Sequence, residues 1–174
     1  TITEETAPYD VDVFDWKQPF DDLNEYIQVV DEDYTINETI EYNIYAEPNH
    51  QVQNYYEVQF YDTDPVMKLS DYNKLLKLRN MDTLELENDE YFIVTSRQLL
   101  YRVENNESLK NIQISNKKLH LKGTDTKSYW ATIATSGKFV VIVPDEYVKD
   151  LEISEQHLVI DTEEETTAQL EEKI

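Results

Sequence analysis

Five tyrosines in the first third of the chain are the side chains best suited to bind a ligand. They are Tyr42, Tyr45, Tyr55, Tyr56 and Tyr61. Each lies in a segment with the pattern of a strand, in a region rich in carboxylates. An aromatic ring beside a carboxylate can hold a cationic ligand that also has an apolar surface. The alternative is that these rings pack between strands, with their hydroxyl groups at the rim of the core.

Other residue types that carry chemistry are scarce or poorly spaced. The chain has no cysteine, which excludes disulfides, thiolate ligands and cysteine nucleophiles. Glycine occurs only at Gly123 and Gly137, too few for a loop that cradles phosphate. His50, His120 and His157 lie far apart, and we expect the last two at the surface. The sequence therefore predicts no catalytic, cofactor-binding or metal-binding residues, and no enzyme activity.

The chain is strongly acidic, with a net charge of −22. Nucleic acid and anionic lipid would be repelled, so we expect no nucleic-acid partner. A cationic partner stays open, and so does the alternative that the charge serves solubility alone. The charge is uneven: −16 over residues 1–66, +2 over 67–127 and −8 over 128–174. This division suggests a middle segment inserted between two ends that form one unit.

Hydrophobic periodicity predicts β-α-β units at both ends of the chain. At the N-terminus, strands at 9–14 and 37–47 flank a helix over 21–32. At the C-terminus, the apolar run 139–143 precedes a short helix, and a strand at 157–161 leads into a last helix with a capping box at Thr162.

The middle segment shows a short helix and several strands. Ser70 has the chemistry of an N-cap, and Asn80 suits the left-handed end of that helix. The stretches TLELEN and YFIVTS predict strands on either side of a turn at 88–89, and NIQISNKKLHLKG predicts a hairpin turning at 116–117. A further strand is expected at 54–62.

Together these elements predict an α+β fold. The β-α-β units from both ends would form one sheet with helices packed on one face, and a mostly-β lobe would be inserted between them. The predicted platform comprises residues 1–62 together with 128–174, and the predicted lobe comprises residues 63–127, with a short helix and β-hairpins.

Five segments occur in an order that resembles a known family: VMKLSDYNKLLKL, LELENDEYFIV, NKKLHLKG, FVVIVPDEYVKDL and VIDTEEETTAQLEEKI. They are similar to the large extracellular domain of FtsX-like ABC transporter permeases, of the bacitracin-export, antimicrobial-peptide type of Gram-positive bacteria. The resemblance spans residues 9–174, and the first third matches only in its β-α-β layout.

The resemblance implies a membrane protein whose soluble extracellular domain lies between anchoring helices before Thr1 and after Ile174. It implies a membrane-proximal platform, a cytoplasmic ATPase subunit and a sensor histidine kinase as partners, and a cationic peptide or cell-wall precursor as ligand. Two other interpretations stay open. One is a secreted or wall-attached adhesin of a Gram-positive bacterium, and the other is a hydrolase whose site the sequence does not reveal.

Overall fold

A computed structural model of the protein describes residues 10–15, 23–49, 52, 63–95, 97–125 and 139–163. The strands are β1 (Asp10–Asp15), β2 (Ile36–Glu47), β3 (Asp64–Lys68), β4 (Glu90–Thr95), β5 (Asn111–Ile114), β6 (Lys117–Asp125), β7 (Phe139–Val143) and β8 (Glu152–Thr162). The helices are α1 (Leu23–Asp31), α2 (Leu69–Leu78) and α3 (Arg97–Glu104), and the 3₁₀ turns are η1 (Glu107–Lys110) and η2 (Asp145–Val148).

All eight of these strands form one mixed sheet, in the order β1-β8-β2-β3-β7-β4-β6-β5. Two neighbouring pairs, β3 with β7 and β4 with β6, are parallel, and the other pairs are antiparallel. The predicted α+β fold, with one sheet and packed helices, is confirmed.

Strand β7 lies inside the sheet and is apolar on both sides. Phe139, Val141 and Val143 join one core cluster, whereas Val140 and Ile142 join the other. Since successive side chains of a strand point to opposite faces, the two clusters cover the two faces of the sheet. We call them the α2 face, where Tyr72, Leu75 and Leu76 of α2 pack, and the opposite face.

Helices cover both faces, whereas the sequence predicted helices on one. Val30 of α1 packs with Leu158 and Ile160 of β8, on the side away from Val159 and α2. Val103 of α3 joins the cluster of the opposite face. The physical reason is the continuous apolar run of β7, because such a run needs cover on both sides.

Residues 63–127 contribute β3, β4, β5 and β6 to the same sheet as the strands of the chain ends. In that sheet, β7 lies between β3 and β4. The division into a platform and an inserted lobe stays a prediction.

Several local predictions are confirmed. The apolar run 139–143 is β7, and the helix that precedes Asn80 ends with that residue in the left-handed region, at φ 55°. The predicted hairpin is β5–β6, and its turn lies one residue earlier than expected, at Ser115 and Asn116, which both have positive φ. The predicted strand at 54–62 and the last helix after Thr162 lie outside the described residues.

Two local predictions are wrong. Ser70 is not the N-cap, because α2 already begins at Leu69, and the backbone N–H of Ser70 donates to Oδ1 of Asp145 over 2.9 Å. The stretch TLELEN is not a strand, and residues 81–87 run without regular structure before the turn at 88–89. In both places the local sequence pattern predicted a different partner for the backbone. The side chain of Asp145 bonds Ser70, and the side chain of Asn73 bonds Leu84.

We expect Asp145→Ala to destabilise the fold, because the variant removes the carboxylate that accepts from the first turn of α2. The loss of such a cap should lower the free energy of unfolding by about 1 kcal/mol. Urea denaturation of the variant, compared with Asp150→Ala at a nearby exposed position, measures the effect. Equal losses in the two variants would contradict the capping role.

Burial raises the pKa of Asp71, and Lys68, the Asn43 N–H and Lys74 only partly offset that rise. A carboxyl whose pKa is higher in the folded than in the unfolded state favours folding when it is protonated, so its ionisation weakens the fold as pH rises. We expect Asp71→Asn to be more stable than the native chain near neutral pH. That advantage should shrink as pH falls toward the ordinary aspartate value of about 3.9.

Chemical denaturation of Asp71→Asn across this pH range tests the sign, with the exposed Asp150→Asn as control. An advantage of Asp71→Asn that grows as the solution becomes more acidic would contradict the assignment.

Candidate functional site

A groove of about 410 Å³ opens on the α2 face, between the C-terminal half of α2, the segment that follows it, and strands β4 and β6. Nine described residues line it: Tyr72, Leu76, Asn80, Met81, Asp82, Thr83, Leu84, Phe92 and Asp125. The lining combines apolar side chains with neutral polar ones and two carboxylates.

Three of the lining side chains form an apolar floor. Tyr72 and Leu76 stand one helical turn apart on α2, so they share the face that packs on the sheet, and both are buried. Phe92 of β4 is partly exposed and lies next to Gly123 of β6. A Cβ at position 123 would lie 3.4 Å from Cε2 of Phe92, so a side chain larger than methyl there would compete with the ring.

Residues 81–87, which we call the strap, form one wall of the groove. The side-chain amide of Asn73 makes two bonds to Leu84: its Nδ2 donates to the carbonyl oxygen over 3.0 Å, and its Oδ1 accepts from the N–H over 2.8 Å. Lys122 Nζ donates to the carbonyl oxygen of Glu85, and Leu84 and Leu86 pack against the core of the α2 face. Side chains thus supply hydrogen-bond partners to the backbone of the strap, which in a sheet would come from a neighbouring strand.

The groove carries negative charge. Asp82 lies on the strap and Asp125 ends β6, and no lysine or arginine occurs among the nine described lining residues. Burial raises the pKa of Tyr72, and the charge of Asp125 raises it further. Both effects disfavour the ionised phenolate of Tyr72.

The arrangement is suited to binding. Its apolar floor can receive an alkyl or aromatic group. Among the described residues, no group of three or more His, Cys, Asp or Glu side chains could hold a metal ion.

The structure separates the two predicted tyrosines that it describes. Tyr42 and Tyr45 are both buried, and they belong to the clusters of opposite faces. Residues three apart on an alternating strand fall on opposite sides of a sheet, so the sequence itself carried this signal. Tyr55, Tyr56 and Tyr61 lie outside the described residues, and ligand binding by the five tyrosines stays a prediction.

The histidines differ in their surroundings. The side chain of His120 is 53% exposed, as predicted, and its ring bonds Asn111. The surface prediction for His157 is wrong, because it lies inside β8 with 11% of its side chain exposed. Its ring stacks on the ring of Tyr42, with the centroids 4.6 Å apart. Its Nε2 lies 2.9 Å from Oε2 of Glu155. His50 lies outside the described residues.

Sequence reasoning missed the groove. Asp125 ends β6, and it is not among the candidate site residues of the sequence analysis. The lining residues come from four elements spread over residues 72–125, and their approach follows from the parallel pairing of β4 with β6. No local pattern in the sequence records that pairing.

No family model matches the chain, and a search of curated proteins found no match either. The fold is similar to a crystal structure named "Putative Lipoprotein from Bacillus anthracis", with a TM-score of 0.51 and 11% sequence identity. The match covers 94% of this chain and 89% of that chain. At this identity the similarity concerns the fold. No helix among the described residues has the length and apolar character needed to cross a bilayer.

We expect Asn73→Ala to release the strap, because it removes both bonds to the backbone of Leu84. The free energy of unfolding should fall by about 1–2 kcal/mol, after the better helix propensity of alanine is allowed for. Hydrogen exchange at the Leu84 amide should accelerate. Lys77→Ala, at an exposed position of the same helix, is the control, and unchanged exchange in Asn73→Ala would contradict this role.

Proposed function

We propose that the chain is the extracytoplasmic domain of an FtsX-like ABC transporter permease of the bacitracin-export type. It engages an antimicrobial peptide or another cell-envelope ligand and couples that ligand to ATP-driven motion of the membrane helices. The full-length permease works with a cytoplasmic ATPase subunit, and a sensor histidine kinase is a further partner. The domain's own work is mechanical.

The pairing of β1 with β8 is the observation that carries this proposal. The two strands are antiparallel, and Asp10 at the start of β1 lies opposite Asp161 near the end of β8. The described chain therefore starts, at Asp10, and ends, just after Thr162, at the same end of the neighbouring strands β1 and β8. A domain held by two membrane helices needs this arrangement, because both helices must enter one bilayer.

The groove lies far from that edge. Six strand spacings separate β1 from β6, which at about 4.8 Å each amounts to roughly 29 Å across the sheet. Ligand binding at the groove and tethering at the β1–β8 edge would thus act on different parts of one body. A change at one part is transmitted through a ladder of paired strands.

The ladder between the two parts is continuous. Strand β8 pairs with β2 from Ile36 to Ala46, with two irregularities in register, and β2 continues through β3 and β7 to β4. The interior of a packed sheet has low compressibility, so such a body moves as a unit instead of absorbing the displacement. This stiffness supports a role in coupling.

The fold similarity to a protein named as a lipoprotein supports an extracytoplasmic location. It also favours a second candidate, a surface protein held by a single anchor, which is close to the alternative of a wall-attached or secreted interaction protein. The two candidates differ in the number of attachments to the membrane. That number can be measured.

A protease site inserted between Asn116 and Lys117, in the exposed turn of the β5–β6 hairpin, distinguishes the candidates. The full-length protein is cleaved at this site in intact cells, and the membranes are then washed with denaturant to separate the fragments. A permease domain is anchored on both sides of the cut, so we expect both fragments to stay with the membrane. Cleavage from outside also establishes the extracytoplasmic location.

Release of one fragment would contradict the permease and support a single anchor. Resistance to cleavage in intact cells, followed by cleavage after lysis, would contradict the extracytoplasmic location. The uninserted protein under the same treatment is the matched control, because it should remain full length.

A further inference from the structure

We propose that Asp161 and Glu38 form a calcium site where β8 pairs with β2. This site lies away from the groove, and it does not depend on the proposed function. The sequence predicts no metal-binding residues, so the site follows from the tertiary structure alone.

The carboxylate of Asp161 is buried with too few partners. The residue is 9% exposed, and its Oδ1 has no hydrogen-bond partner among the described residues. Its Oδ2 accepts from Nδ2 of Asn37 over 3.4 Å, which is longer than the usual 2.7–3.2 Å of an N–H···O bond. A buried charged oxygen without a donor costs free energy, and a bound ion is one of the few partners that removes this cost.

The neighbours of Asp161 in the sheet are acidic on both sides. It lies opposite Glu38 of β2 and opposite Asp10 of β1. The sequences of β1, β2 and β8 together hold nine aspartates and glutamates, and they hold no lysine or arginine. No basic side chain of these three strands can therefore balance the charge of Asp161, and a row of like charges across them favours a bound cation.

The spacing of the ladder suits one shared ion. Residues directly opposite on antiparallel strands share a face, with Cβ atoms about 4.5–5.5 Å apart. Two oxygens that bind one calcium ion at 2.3–2.6 Å lie at most about 5 Å from each other. The last torsion of an aspartate side chain is soft, so Asp161 can turn its oxygens toward Glu38. Glu38 is exposed, which gives the ion a path from solvent.

The chemistry of the ligands favours calcium over other metals. Carboxylate oxygens bind hard cations, whereas zinc and copper prefer nitrogen and sulfur. Magnesium needs a near-ideal octahedron at 2.0–2.1 Å and loses its waters reluctantly, whereas calcium accepts an irregular shell of six to eight oxygens that water can complete. Bound calcium would join β2 to β8 and stabilise this side of the sheet.

Titration of the intact chain with calcium chloride tests the proposal, after a chelator has removed bound metal and at constant ionic strength. We expect saturable binding at one site by calorimetry, with a Kd of about 0.1–1 mM, the range of extracellular calcium modules. Amide chemical shifts should change at Glu38 and Asp161, and the thermal midpoint should rise with calcium because the ion binds the folded state. Magnesium should bind more weakly.

Variants assign the binding to these two carboxylates. Asp161→Asn should abolish it, and Glu38→Gln should weaken it on the order of tenfold, because calcium affinity follows the charge of the ligands. Glu38 is exposed, so its variant gives a result even where Asp161→Asn does not fold. Glu41→Gln is the matched control, since it removes one exposed charge from the same strand at a position opposite Leu158. It should leave the affinity unchanged.

The absence of saturable calcium binding would overturn the proposal. Equal effects of Glu38→Gln and Glu41→Gln would also overturn it, because they would show a diffuse attraction of counterions instead of a site. Equal affinity for magnesium would overturn the choice of calcium, and shifts remote from Glu38 and Asp161 would overturn the location. The proteolysis experiment gives its result independently, so a failure here leaves the proposed function in place.

Discussion

Burial of β7 on both of its faces is the constraint on which the rest of the structure depends. All five residues from Phe139 to Val143 are at most 2% exposed. Full burial of side chains of this size contributes about 1.5–3 kcal/mol each, so the strand supplies on the order of 10 kcal/mol. That figure is comparable to the whole net stability of a typical domain, about 5–15 kcal/mol. Both faces of the sheet therefore need cover, and α2 on one side and α3 with η1 and η2 on the other provide it.

Polar side chains then join elements that the core alone would leave loosely connected. Asp145 lies two residues after the end of β7 and accepts from the N–H of Ser70, so the start of α2 is tied to the end of β7. Asn73, one turn further along α2, fixes Leu84 of the strap. The groove is a result of this succession, because its floor is the helix and its wall is the segment that the helix holds.

The two functions that we propose for the domain, tethering and ligand binding, lie at different parts of the sheet. The first and last described strands, β1 and β8, pair at one side of the sheet, and the groove lies toward the other side. Both belong to one sheet of paired strands.

The sequence by itself determined the elements whose signals are local. The apolar run of β7, the left-handed Asn80 at the end of α2 and the β5–β6 hairpin follow from side-chain chemistry within a few residues. Alternation along β2 also places Tyr42 and Tyr45 on opposite faces, although their clustering in sequence had suggested a shared surface.

The tertiary structure decided what depends on residues distant in the chain. Ser70 has the chemistry of a cap, yet Asp145 approaches from 75 positions away and accepts from its N–H. TLELEN alternates like a strand, yet its Leu84 backbone bonds the side-chain amide of Asn73, and residues 81–87 run without regular structure. His157 interrupts an apolar pattern, yet Tyr42 covers its ring. A backbone group bonds whichever partner the fold brings within about 3 Å, and that partner is fixed by strand order, which no short stretch of sequence encodes.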